Sequence, residues 1–116
     1  MVHESVAEKF LPVVLSALRD LNVKLNVDSK TAKVAEANKI AVNSATEENW
    51  STEYNALEMN VAVVPSLLAA ADHIAKYGTK HTESVVTQSD ANAAKFVALS
   101  DSAAIMVNAS TRFTDG

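Results

Sequence analysis

Cysteine is absent from these 116 residues. That excludes disulfides, thiolate metal sites, iron–sulfur clusters and any cysteine nucleophile supplied by the chain itself. Glycine is almost as scarce, occurring only at Gly78 and Gly116, so neither a Walker-type phosphate loop nor a GxGxxG dinucleotide fingerprint can be written. Charged residues interrupt every apolar stretch before it reaches the roughly 18 to 20 residues that span a bilayer. Ten basic residues stand against fourteen acidic ones, for a net charge of −4, and such a balance supplies no field for phosphate backbones or anionic lipids. Nucleic acid and membrane are therefore excluded as expected partners. The start, Met1 to Leu11, carries Glu4, Glu8 and Lys9 in an amphipathic pattern rather than the grammar of a signal peptide, which points to a cytoplasmic protein or to one destined for an organelle lumen with its address already removed.

What the chain does contain is material for a core. Hydrophobic residues make up 48% and charged residues 21%, with a mean hydropathy of +0.04, the composition of a folded chain of one-domain length. A single α/β unit over 1–116 is the expectation. Val6, Phe10, Val13, Val14, Ala17, Leu18 and Leu21 recur at helical spacing. Ser5 and Glu8 have the capping-box spacing, and Pro12 predicts a kink or restart. Val23, Leu25 and Val27 alternate with Lys24 and Asn26, the pattern of a strand with one face in solvent.

Asp28 and Ser29 offer a cap to a short helix over Thr31–Ala37, and Ile40–Val42 reads as a brief strand. The polar stretch Asn43–Asn55, with Glu47, Glu48, Trp50, Glu53 and Tyr54, has the length and character of a functional loop. Leu57, Met59, Val61 and Val63 alternate as a strand, Leu67–Tyr77 reads as a helix closed by Gly78, and Glu83–Thr87 as a strand. Ser89 or Asp90 caps a helix over Ala91–Leu99, and Ala103–Val107 reads as a strand covered on both faces. Strand, helix, strand, helix, strand at this spacing implies right-handed crossovers. The fold class expected is α/β, a mainly parallel sheet with flanking helices.

His3, His73 and His81 form no ligand pattern, so no metal site is expected. The acidic pairs Glu47/Glu48 and Glu53/Glu58 are either an acid–base pair or solvated loop carboxylates. Asn49 and Asn108 each begin an Asn-x-Ser triplet, either a glycan acceptor or a chance occurrence. The tail carries more chemistry. After the last apolar strand come Asn108, Ala109, Ser110, Thr111, Arg112, Phe113, Thr114, Asp115 and Gly116. Open parallel sheets bind ligands at the carboxyl ends of their strands. Asn108, Ser110, Thr111 and Arg112 there form either a site for a carboxylate or phosphate, with Arg112 as bidentate partner, or a solvated tail.

The stretch Asn108–Gly116 resembles the signature of the gamma-glutamyl phosphate reductases, within the aldehyde dehydrogenase superfamily. His3-Glu4, Trp50-Ser51-Thr52-Glu53-Tyr54, Tyr77-Gly78-Thr79-Lys80-His81-Thr82-Glu83 and Val85-Val86-Thr87 fall in that family's order and approximate spacing, so the resemblance covers nearly the whole chain. It implies an NADPH-dependent oxidoreductase of proline biosynthesis. In that reaction a cysteine thiolate attacks the acyl phosphate, phosphate leaves, and hydride reduces the thioester to glutamate 5-semialdehyde. The resemblance places that cysteine, and the cofactor domain, before the segment matching Met1, and a glycine-rich stretch beyond the match to Gly116.

Residue by residue, the resemblance assigns Glu53 to the nicotinamide ribose, and Ser110, Thr111 and Arg112 to the substrate carboxylate or phosphate, with Asn108 orienting their loop. The Phe-Gly-Pro that follows this glutamate in the wider superfamily is not present here. No catalytic residue is assigned. The expectation is a portion of a reductase catalytic domain, inactive by itself and holding no cofactor alone. The alternatives are a free-standing binding or interaction module, perhaps dimeric through exposed apolar surface, and one half of a split reductase.

Overall fold

The computed structural model describes residues 1–114. Where length alone anticipates one unit, the chain divides into two compact units, Met1–Ser66 and Leu67–Gly116, and each is described by itself. Every strand pairing among the described residues is parallel, so the α/β class with parallel sheets and flanking helices stands.

In the first unit, β1 (Val2–His3) leads into α1 (Glu4–Asp20), β2 (Lys24–Val27), α2 (Ser29–Ala37), β3 (Asn43–Ser44), β4 (Glu58–Val61) and β5 (Val63–Val64). The sheet order is β3-β2-β4, with β1 and β5 pairing separately. Asn26 lies in register with Asn43 on one side and Asn60 on the other. Because Val2 and His3 are held against Val63 and Val64, the chain turns into helix two residues earlier than the Ser5–Glu8 box implies. His3 is the N-cap, its Nδ1 accepting from the Ser5 amide at 3.1 Å. The helix runs unbroken through Pro12, so no restart occurs there. One lost backbone hydrogen bond is outweighed by the packing on either side of it.

The buried face of α1 is not the expected one. Ala7, Leu11 and Leu15 pack on Leu25, Val27, Ala35, Ile40 and Val61, and each fully buried leucine contributes about 1.5 to 3 kcal/mol. Of the expected stripe, Val14 and Leu18 pack against this core, whereas Val6, Phe10, Val13 and Leu21 are exposed, Val13 by 69%. Apolar residues cover more than half of this helix's circumference, and periodicity alone cannot say which half meets the sheet.

Scarce glycine shows in how these helices end. Asn22 (φ 58) and Lys39 (φ 55) take the left-handed position usually given to glycine. Past α1, Asn22 N donates to Arg19 O and Val23 N to Leu18 O. Past α2, Lys39 N donates to Glu36 O and Ile40 N to Ala35 O. Ile40 is thereby drawn into the core, and the strand expected at Ile40–Val42 forms instead at Asn43–Ser44. Asp28 caps α2 as expected, with Oδ1 accepting from Thr31 N at 3.0 Å, while Oδ2 accepts from Val63 N at 3.3 Å.

The second unit comprises α3 (Leu67–Tyr77), β6 (Thr82–Val85), α4 (Asp90–Leu99) and β7 (Ala104–Val107). Ser89 caps α4, accepting from Asn92 N at 3.2 Å. The pair β6–β7 runs in register from Thr82/Ala104 to Val85/Val107, so β6–α4–β7 is the expected crossover. It joins two strands and no third among the described residues of this unit. Nor is β7 covered on both faces: its side chains are half-buried and Val107 is exposed. In a pair of strands, each leaves one edge and part of its surface uncovered.

Gly78 ends α3 without a positive φ, and the left-handed residue is Lys80 (φ 61). Gly78 N donates to Ile74 O at 2.7 Å, and a Cβ at Gly78 would stand only 2.7 Å from that same oxygen. Gly78→Ala is therefore expected to cost about 1 to 3 kcal/mol, the range for forced overpacking, read as a lowered urea midpoint. Thr31 behaves oppositely. It is fully buried and its Oγ1 has no hydrogen-bond partner, so Thr31→Val, which replaces a stranded hydroxyl by a methyl of equal shape, is expected to be neutral or to stabilise by about 1 kcal/mol in the same measurement.

Candidate functional site

The tail residues singled out by the sequence lie together in one folded loop of the second unit. Asn108, just past β7, adopts φ 54, a conformation asparagine tolerates better than most residues. Its amide donates to Val85 O at 2.8 Å, and its Oδ1 accepts from Thr87 N at 2.9 Å. Ala109 O accepts from Ser84 Oγ at 2.7 Å. Three bonds thus tie the start of the loop to β6 and the segment after it.

Beyond it, Thr111–Thr114 forms a single 3-10 turn. Ser110 Oγ accepts from Arg112 N at 3.3 Å, which leaves the serine O–H free to donate outward. Thr114 Oγ1 donates to Thr111 O at 2.8 Å and lies 3.1 Å from Thr82 Oγ1, itself 2.6 Å from His81 Nδ1. Since Thr114 donates to the carbonyl, Thr82 donates to Thr114, and His81 Nδ1 must donate to Thr82. The turn is therefore tied back to the beginning of β6. Ser110, Thr111 and Arg112 are exposed, and Phe113 is 74% exposed beside them. A guanidinium with two neighbouring hydroxyls is a donor set suited to a carboxylate or phosphate. Asp115 and Gly116, the end of the signature, lie outside the described residues.

Glu53 belongs to the first unit. It is exposed, in the coil that follows the 3-10 turn Glu48–Ser51. Next to it stands a feature the sequence reading missed. Asn26 was expected to face solvent from β2, yet it is 3% exposed. Its Nδ2 faces Glu58 Oε1 at 2.8 Å, Tyr54 Oη at 3.2 Å and Asn60 Oδ1 at 3.3 Å. Tyr54 Oη donates to Asn60 Oδ1 at 3.0 Å and accepts from Asn49 Nδ2 at 2.8 Å, while Asn60 Nδ2 donates to the Asn49 carbonyl. The readable signal was asparagine at the polar position of two separate alternating strand patterns, a residue otherwise depleted in strands.

Two carboxylates carried on strands are shifted. Glu58 is held below its ordinary value of 4.5 by the Asn26 hydrogen bond first and by Lys24 second; Lys24 Nζ lies 3.0 Å from its Oε1. Glu83, on β6, is pushed above 4.5 by burial, partly offset by a hydrogen bond from Ser102. The histidines serve as local ties: His3 caps α1, His81 meets Thr82, and the His73 ring lies 4.7 Å from that of Tyr77, tilted at 53° to it. No set of three metal-binding side chains gathers among the described residues, and no helix among them is long and apolar enough to cross a membrane.

The protein is thus of the parallel α/β class, with its polar candidate residues on loops that the strands anchor. No protein-family model matches it. Over all 116 residues it is 48% identical to the gamma-glutamyl phosphate reductase of Caldicellulosiruptor bescii, spanning 28% of that protein. It is 47% identical to that of Thermobifida fusca, spanning 27%. The crystal structure of gamma-glutamyl phosphate reductase from Thermotoga maritima superposes with a TM-score of 0.91 at 44% identity, over 97% of this chain and 26% of that one. In sequence and in backbone the chain is similar to a segment of these gamma-glutamyl phosphate reductases, as the tail signature implied, and it spans 28% of the first of these relatives.

The Glu58 shift fixes a pH dependence. A carboxylate whose folded pKa is depressed contributes stability above its unfolded value and loses it as pH falls through the folded one. Glu58→Gln is expected to lower the urea midpoint at pH 7, and the gap from the parent chain is expected to shrink as pH falls below 4.5. A gap independent of pH would contradict the assigned role.

Proposed function

We propose that this chain forms part of the catalytic domain of an NADPH-dependent gamma-glutamyl phosphate reductase, acting in the cytoplasm, and that it does not turn over substrate by itself. The observation that carries the reading is the 48% identity across the whole chain, combined with its span of 28% of that relative and the absence of cysteine from its sequence. The reaction requires a thiolate that attacks the acyl carbon and expels phosphate. Hydride addition to the resulting thioester then releases the thiolate and the aldehyde. This chain has no side chain for the first step.

What it offers is recognition. Arg112, with the Ser110 and Thr111 hydroxyls, would hold the glutamyl carboxylate or phosphate, on a loop that Asn108 fixes to β6. Bound NADPH would supply the hydride. Glu53, exposed on its coil, suits a ribose hydroxyl, but two glycines in the entire sequence leave no glycine-rich turn for the pyrophosphate. The thiolate and the phosphate cradle must therefore come from another polypeptide segment.

A second reading, an interaction module that self-associates, is favoured by one observation, the exposed Val6, Phe10 and Val13 along α1. Sedimentation of the purified chain separates the two, since a dimer supports the module and a monomer supports the reductase segment. The primary test is catalytic. With glutamate 5-semialdehyde, phosphate and NADP, absorbance of the reduced cofactor is expected to stay at the level of the blank for this chain alone. Sustained turnover by the cysteine-free chain would contradict the proposal.

A further inference from the structure

The half-buried Tyr54 hydroxyl joins a loop to the three-stranded sheet, with hydrogen-bond partners on both. We propose that Tyr54 is a positioning residue: through Asn26, Asn49 and Asn60 it tethers the Thr46–Tyr54 segment to the three-stranded sheet and so fixes where Glu53 is presented. The part that concerns Glu53 rests on the cofactor reading given above; the tether does not.

The geometry carries the argument. Glu53 has no regular structure of its own, lying between a single 3-10 turn and β4. Coil of this kind is mobile unless tied. On its amino-terminal side the segment is closed by Asn49, whose Oδ1 accepts from Thr46 N at 2.7 Å and from Thr46 Oγ1 at 3.0 Å. Asn49 then donates from its Nδ2 to Tyr54 Oη at 2.8 Å, and reaches the sheet by its carbonyl, which accepts from Asn60 Nδ2 on β4. On the carboxyl-terminal side Tyr54 follows Glu53 directly and donates to Asn60 Oδ1 at 3.0 Å. Both ends of the segment thus converge on one hydroxyl and one strand residue, and Asn26 beneath them is buried on the strand that both neighbours flank. Glu53 itself takes no part and stays exposed, as a residue presented to a ligand must. Removing a hydroxyl that both donates and accepts cuts the tyrosine's part of the tether, its bonds to Asn49 and Asn60, while leaving the ring in place.

Two arms test this. In the purified chain, Tyr54→Phe is expected to speed amide exchange over residues 46–56 by about tenfold, while α1 and β2 stay within about twofold of the parent. A general loss of stability would instead accelerate all of them together. Asn49→Asp, which keeps the acceptor for Thr46 but loses the donor to Tyr54, is expected to give the same local pattern. Unchanged exchange over 46–56 in both variants would overturn the tether. For function, the Thermotoga maritima reductase is assayed with its matching segment replaced by this chain. There Tyr54→Phe is expected to raise the KM for NADPH about fivefold with kcat little changed, and to add nothing once Glu53→Ala is present. A Tyr54→Phe effect that persists in the Glu53→Ala background would overturn the positioning role. Glu53→Ala with an unmoved KM would overturn the cofactor reading of Glu53, and the exchange arm would still decide the tether.

Discussion

The first unit depends on β2 being enclosed on every side. It is hydrogen-bonded along both edges, to β3 and to β4. One face presents Leu25 and Val27 to α1, and the other presents Asn26, and all three side chains are nearly inaccessible to water. A strand so enclosed must be apolar or must satisfy each polar group internally, because an unpaired buried amide costs roughly 1 to 3 kcal/mol. The apolar face accounts for the packing of α1 and for the burial of Leu11 and Leu15. The polar face accounts for a partner set drawn from β4 and from the loop before it. The two halves of this unit, its core and its loop, are therefore consequences of one strand.

That constraint also orders the candidate functional residues. Catalysis and binding call for side chains on loops, and loops call for anchoring by a rigid scaffold. In the first unit the anchor is the Asn26–Asn60–Tyr54 cluster, which fixes the coil bearing Glu53. In the second unit it is the pairing of β6 with β7, extended by the bonds from Asn108 and Ala109 to Thr87, Val85 and Ser84. The second anchor uses asparagine, at Asn108, where glycine would be usual. Asn22 and Asn108 take left-handed backbone, as does Lys39 at the end of α2. A chain with two glycines meets its turn requirements by side chains that tolerate or cap the strained conformation.

Much of this was legible in the sequence, and the parts that were not have identifiable causes. The helix over Leu67–Tyr77, the Asp28 and Ser89 caps, the β6–α4–β7 crossover and the parallel α/β class follow from spacing and capping chemistry. The buried side of α1 does not, because Val6, Phe10 and Val13 compete with Ala7, Leu11 and Leu15 for the same description, and only the neighbouring sheet decides between them. Asn26 was misread for a related reason: alternation says that it faces away from Leu25 and Val27, but not that another element covers that side. The tail was legible as a loop past the last strand, and Asn108, Ser110, Thr111 and Arg112 lie in it. Its fold back along β6, through Thr114 and Thr82, needed tertiary information. The relation of the chain to gamma-glutamyl phosphate reductase came from the signature residues rather than from composition, which by its lack of cysteine and glycine pointed away from enzymes altogether.

The enclosure of β2 can be tested directly by a double-mutant cycle between Asn26→Ala and Tyr54→Phe, followed by urea unfolding of the parent, both single variants and the double. If the buried amide is satisfied through the tyrosine cluster, each single change leaves partners stranded and the double change relieves part of that cost. The predicted coupling is about 1 kcal/mol. Additive losses, with no coupling beyond about 0.3 kcal/mol, would mean that Asn26 and Tyr54 do not share a network, and would contradict the account of how the strand and its loop are held.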